Sequence, residues 1–103
     1  MSRLQPLSPI AGSGATISAT QTSSSTAIND LGNVVEVHNS GANEVFVRIG
    51  PGAQTAVTTD FPLANGERRT FSKAQNPASS WEIGTICNSG ETATVYIATG
   101  HGE

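Results

Sequence analysis

The chain has 103 residues, 8 acidic and 5 basic side chains, a net charge of −3 at pH 7 and one cysteine. The acidic balance argues against nucleic-acid binding, which needs a basic surface to contact phosphates, and no apolar run approaches the roughly 20 residues that cross a membrane. We therefore expect one domain without a disulfide and without a metal site of paired thiolates.

The N-terminal segment reads MSRLQPLSPI and lacks the apolar run of a signal peptide, so we expect the chain to fold in a cytoplasm. Prolines separate Leu4, Leu7 and Ile10, and a residue before proline favours an extended conformation. We interpret residues 1–12 as an extended arm with three apolar anchors, and residues 13–103 as a single domain.

The stretch from residue 13 to residue 28, SGATISATQTSSSTAI, has no charged side chain and many β-branched residues. Such a segment can add a strand to the sheet edge of a sister subunit or another protein, with Ala15, Ile17 and Ala19 filling shallow pockets. Charges would be costly to desolvate in that interface. Alternatively, residues 1 to about 12 are a floppy tail, and residues 14–28 supply the first strands of the chain's own domain. The sequence leaves both interpretations open.

The remaining chain shows frequent strand signals that end at Gly, Asn, Pro or Ser. The segments NVVEVH and EVFVRIG alternate around the turn NSGAN, which predicts a β-hairpin with its turn at residues 39–43. A long Pro/Gly-containing link follows, for which a short strand near residues 55–58 is one option. Later strands are predicted in ERRTFS, SWEIGTIC and TATVYIAT, and the last of these turns Ala93, Val95 and Ile97 inward.

Short strands about 8–12 residues apart, with turn residues between them, are typical of a β-sandwich or small barrel. We predict an all-β, antiparallel β-sandwich of jelly-roll-like or immunoglobulin-like form. Charged residues make up only 13% of the chain, less than the quarter or so that keeps a free monomer soluble. This composition favours a protein whose surface is covered in an assembly.

Candidate catalytic groups are sparse. His38 shares a strand face with Glu36, which predicts a polar surface pair, and Cys87 is predicted to be a small buried apolar residue. The final HGE offers a metal too few ligands, because metal sites usually recruit three or four. We therefore predict no enzymatic activity, no cofactor and no metal.

The aromatic residues suggest one alternative. A carbohydrate-binding or adhesion module would need exposed, coplanar rings, and Trp81 and Tyr96 are the candidates for such a stacking platform. The competing interpretation places Trp81 in the core or at an edge and Tyr96 at an interface.

Two stretches, EVFVRIGPGAQTAVTTDFPLANGERRTF and IGTICNSGETATVYIATGHGE, resemble small accessory head proteins of tailed bacteriophages, of the decoration or cement type. The resemblance covers residues 33–103 and rests on strand pattern and turn residues. It implies a jelly-roll-like sandwich on the capsid surface of the virion, forming a homo-oligomer (dimer or trimer) and binding the major capsid protein. It fits a neck or tail adaptor of the virion as well.

Overall fold

The computed structural model describes residues 8–74 and 77–102, which form nine strands in two antiparallel sheets. Within those residues there is no helix long and apolar enough to cross a membrane. The strands are β1 (Ser8–Pro9), β2 (Ala15–Ala19), β3 (Ser24–Ala27), β4 (Val34–Asn39), β5 (Val45–Pro51), β6 (Phe61–Leu63), β7 (Arg68–Ser72), β8 (Trp81–Cys87) and β9 (Ala93–His101).

In the first sheet, β1 and β2 lie end to end along one side of β9, and β4 and then β7 follow on its other side. The second sheet has the order β3-β8-β5-β6. Apart from β1–β2 and β5–β6, each pair of consecutive strands lies in different sheets. The prediction of an all-β, antiparallel sandwich is confirmed.

The core lies between the two sheets and consists mainly of β-branched side chains at alternate strand positions, where period-two alternation puts them on one face. Val37 of β4 and Val95 of β9 are fully buried on the first sheet, as are Val45 and Ile83 on the second. The inward orientation predicted for Ala93, Val95 and Ile97 is confirmed, with exposures of 7%, 0% and 3%.

The predicted hairpin at residues 39–43 is wrong. β4 pairs with β7 and β9 in the first sheet, whereas β5 pairs with β6 and β8 in the second, so the intervening residues cross between the sheets. A Cβ on Gly41 would lie 2.7 Å from the Cα of Ala93, which shows how closely the crossover packs on β9. Turn residues permit a chain reversal, but they do not decide whether the flanking valines pair side by side or face each other across a core.

The long link after β5 is irregular, so the strand considered at residues 55–58 is absent. The link crosses the outer face of the second sheet. We name residues 53–58 the strap. The Gln54 amide donates to Ser25 Oγ (2.9 Å), and the Ala56 amide donates to Ser23 Oγ (2.8 Å). Gly84 of β8 lies beneath the strap, where a Cβ would come within 2.9 Å of the backbone oxygen of Gln54.

The uncharged segment of residues 13–28 supplies strands to the chain's own sandwich, which is one of the two interpretations of this segment. β2 pairs with β9, and β3 pairs with β8. Of the arm predicted at residues 1–12, Leu4 and Leu7 lie outside the described residues. Ser8–Pro9 pairs with β9, and the half-buried Ile10 donates its amide to the Thr99 oxygen (2.9 Å).

Candidate interaction surface

The side of β2 that faces away from β9 pairs with no strand among residues 8–74 and 77–102. The oxygen of Thr94 in β9 accepts from the Ser40 amide, so the polar groups of Thr94 point away from β2. The direction of the backbone N–H and C=O groups alternates along an antiparallel strand. The backbone groups of Val95 therefore point toward β2, and Val95 forms a hydrogen-bonded pair with Ile17. The N–H and C=O groups of Thr16 and Ser18 must then point away from β9, where no described strand pairs with them.

Side chains along β2 divide between core and solvent. Ile17 and Ala19 are 4% and 0% exposed within the chain's own core, and Ala15 is half-buried against it. These three predicted contact residues therefore pack inside their own sandwich. Thr16 and Ser18 are the exposed ones, and sequence reasoning missed them although strand alternation could have singled them out.

Ser13 fills the gap between β1 and β2. Its buried Oγ accepts from the Thr99 amide (3.0 Å) and lies 3.2 Å from the Thr99 oxygen, to which it donates. The side chain thus satisfies backbone groups of β9 where the edge strand is interrupted. β1, Ser13 and β2 therefore contact β9 one after another between Ser8 and Ala19.

The two sides of the sandwich differ in charge. The rings of Phe61 in β6 and Phe71 in β7 meet edge to face, 5.5 Å between centroids, so these two edges lie on one side. That side carries Arg68, Arg69 and Pro62, features that normally keep an edge from pairing with other strands. β2 and β3 form the opposite side and contain neither a charged residue nor proline.

Ion pairs reinforce the charged side. Arg69 Nε lies 2.7 Å from Glu67 Oε2, and its guanidinium carbon lies 5.2 Å from the centroid of the Phe61 ring. The Ala64 amide and the Arg69 guanidinium hold the pKa of Glu67 below its usual range. The charged groups of Glu67 and Arg69 thus find their partners within the chain.

A cleft of about 340 Å³ lies where β2 ends and the crossover packs on β9. Its lining is small and uncharged: Ser18, Ala19, Thr20, Gly41, Ala42, Asn43, Thr92, Ala93 and Thr94. Such a lining offers backbone and hydroxyl groups to a neighbour and suits a small or apolar side chain better than a charged one.

The outer face of the first sheet carries Tyr96, which is 47% exposed and stacks on His38 with 6.3 Å between ring centroids. Glu36, on the same face, lies 3.9 Å from Arg68. Trp81 belongs to the second sheet and packs against the core. The two aromatic residues proposed for carbohydrate stacking therefore do not form one platform.

Among residues 8–74 and 77–102, no group of three His, Cys, Asp or Glu side chains is arranged to hold a metal ion. Cys87 is 1% exposed, and burial raises the pKa of its thiol, with Glu91 adding to the effect. Comparison of the sequence with models of known families and with curated proteins finds no match.

Proposed function

We propose that this chain is a structural virion protein, a decoration or cement protein that stabilises a tailed-phage head by binding the major capsid protein and sister subunits. The resemblance of residues 33–103 to accessory head proteins is the sequence-level support. The structure adds support of a different kind, from strand order and from the neutral edge.

Strand order is the observation that carries the proposal. If β1 and β2 count as one edge strand, the strands number one to eight along the chain, and the sheets read 1-8-3-6 and 2-7-4-5. This order fits a jelly roll, in which eight strands form two Greek keys, and viral capsid domains are prominent among the proteins that use this fold.

Backbone and small-residue contacts would supply the binding. The N-terminal segment with Leu4, Leu7 and Ile10 is the proposed contact with the capsid protein, and the β2 edge is the proposed contact between subunits. Each contact can be weak, because simultaneous engagement across a closed lattice multiplies the effective affinity. A neck or tail adaptor would use the same contacts at another place in the virion.

Carbohydrate binding is the second candidate, because lectin domains also use the jelly roll and Tyr96 is exposed on a polar sheet face. Its weakness is the position of Trp81 against the core. Loss of glycan binding on Tyr96→Ala, with the fold intact by circular dichroism, would support this candidate over the virion protein.

The test is co-sedimentation of the purified protein with heads assembled from the major capsid protein encoded in the same genome. We expect saturable binding, and a Leu4→Ser/Leu7→Ser variant should bind at least about tenfold more weakly, a loss of roughly 1.4 kcal/mol. Leu31→Ser is the matched control, since Leu31 is 50% exposed elsewhere on the domain. Failure of the wild-type protein to bind heads, or a genome without capsid genes, would overturn the proposal.

A further inference from the structure

We infer that β2 pairs antiparallel with β2 of a second copy of the chain, so that the first sheet continues across a two-fold axis at Ile17. The first sheets of the two copies would then form one continuous sheet, with the two β2 strands at its centre. The inference concerns association between copies, and it holds whether or not the assembly is a virus particle.

The free backbone groups of β2 have the spacing that this pairing requires. Thr16 and Ser18 both direct their N–H and C=O groups away from β9, as the ladder with Val95 dictates. With Ile17 on the axis, Thr16 stands opposite Ser18 of the second copy and exchanges two hydrogen bonds with it, and the symmetric pair does the same. Ile17 then forms the non-hydrogen-bonded pair with its own counterpart.

The side chains of β2 are compatible with self-pairing. On the outer face, the hydroxyl groups of Thr16 and Ser18 stand opposite each other, a cross-strand combination that contributes favourably. On the inner face, Ala15 stands opposite Ala19 beside Ile17. Each side chain in β2 is uncharged, so no like charges oppose each other across the axis.

The other edges suit self-pairing less well. β7 carries the charged side chains of Arg68 and Arg69, and Pro62 removes an amide donor from the three-residue β6. β3 is neutral, but the hydroxyls of Ser23 and Ser25 are already engaged with the strap. β2 is therefore a neutral edge whose outward backbone groups pair with no described strand and whose side chains are not engaged by the strap.

The first measurement is the mass of the full chain in solution by sedimentation equilibrium at tens of micromolar protein. We expect about 21 kDa, twice the chain mass of 10.5 kDa. Thr16→Lys/Ser18→Lys places lysines opposite each other in the pair and should shift the mass to that of one chain. Thr70→Lys, an exposed change on β7, is the matched control and should leave the dimer intact.

The second measurement, amide hydrogen exchange of the wild-type chain, does not depend on how the lysine variant folds. The Thr16 and Ser18 amides should become at least about tenfold more protected as the protein is concentrated through the dimerisation range, whereas the Ile17 amide, bonded to β9, should change little. A monomer at all concentrations, a trimer, a lysine variant that stays dimeric, or concentration-independent exchange would each overturn the inference. Such a result would remove the proposed contact between subunits. It would leave the proposed binding to the major capsid protein standing, because that binding is assigned to the N-terminal segment.

Discussion

The side-chain amide of Asn39, in the first sheet, donates a 2.9 Å hydrogen bond to the backbone oxygen of Leu63, in the second. The same nitrogen donates to the Asn43 oxygen (2.8 Å), and the side-chain oxygen accepts from the Gly41 amide. Asn39 is fully buried, so it ties the sheets together where the chain crosses between them.

Asn39→Ala should lower the free energy of unfolding by about 2–3 kcal/mol, because buried polar groups would lose their partners. Urea denaturation followed by circular dichroism measures the change. The control is Asn88→Ala, at an exposed position after β8, which should stay within about 0.5 kcal/mol of wild type. Equal effects of the two substitutions would contradict the tying role of Asn39.

Gly84→Ala should displace the strap, because the new Cβ would lie 2.9 Å from the Gln54 oxygen and 3.0 Å from the Gln54 Cβ. We expect a loss of about 1–3 kcal/mol and faster cleavage of residues 53–58 by a protease of broad specificity. Gly14→Ala is the control, since its Cβ would make only an ordinary 3.5 Å contact with the Ile97 oxygen. Unchanged cleavage of the strap in Gly84→Ala would show that the strap accommodates the added methyl group without detaching from β8.

Stability should fall in acid partly through Asp60. The Val57 amide, which donates to Asp60 Oδ2 (2.8 Å), and then Arg48, at 3.1 Å, hold the pKa of this carboxyl below its ordinary value of 3.8. The unfolded chain therefore binds the proton more readily, so the stabilisation is present above pH 3.8 and is lost as the pH falls through the folded-state pKa.

Asp60→Asn should be less stable than wild type at neutral pH, and the difference should shrink as both proteins are acidified toward about pH 2. Urea unfolding across this range measures it. Glu44→Gln, an exposed substitution outside the described ion pairs, should run parallel to wild type. A constant gap between Asp60→Asn and wild type at every pH would refute this assignment.

Cys87 should react slowly with thiol reagents in the folded protein, because it is 1% exposed and burial raises its pKa. We expect the rate to rise at least about 100-fold in denaturant at the same pH, since the thiolate is the reactive form. Ser89→Cys, at an exposed turn position, provides a fast-reacting reference in the native state. Rapid modification of native wild-type protein would mean that the strand end opens readily.

Strand alternation was sufficient to predict β7, β8 and β9 and the inward face of β9. It could not assign strands to sheets, because the valines of β4 and β5 fit a hairpin and a sandwich crossover equally well. The buried side-chain hydrogen bonds of Asn39 accompany the crossover and are not visible in the local pattern. Lys73 was also unpredictable. It lies in an apparent loop, yet it is only 5% exposed. Its ammonium group donates hydrogen bonds to the backbone oxygens of Asp30 and Ala74.

The candidate surface was only partly predictable. The missing charge in residues 13–28 singled out a segment that forms edge strands, but the residues chosen from it, Ala15, Ile17 and Ala19, pack on the core. Which backbone groups of β2 are free depends on its register with β9, and β9 lies about 80 positions further along the chain. Local pattern carries no information about a pairing of that separation.

The position of β9 between β2 and β4 has a consequence for synthesis. It is the last described strand to leave the ribosome, yet it occupies an interior place in its sheet. Until it emerges, the neutral β2 segment has no partner, and folding must wait for a contact between distant parts of the chain. A nascent chain arrested before residue 93 should therefore depend on chaperones, and crowded polysomes would be the place where this protein is most exposed to aggregation.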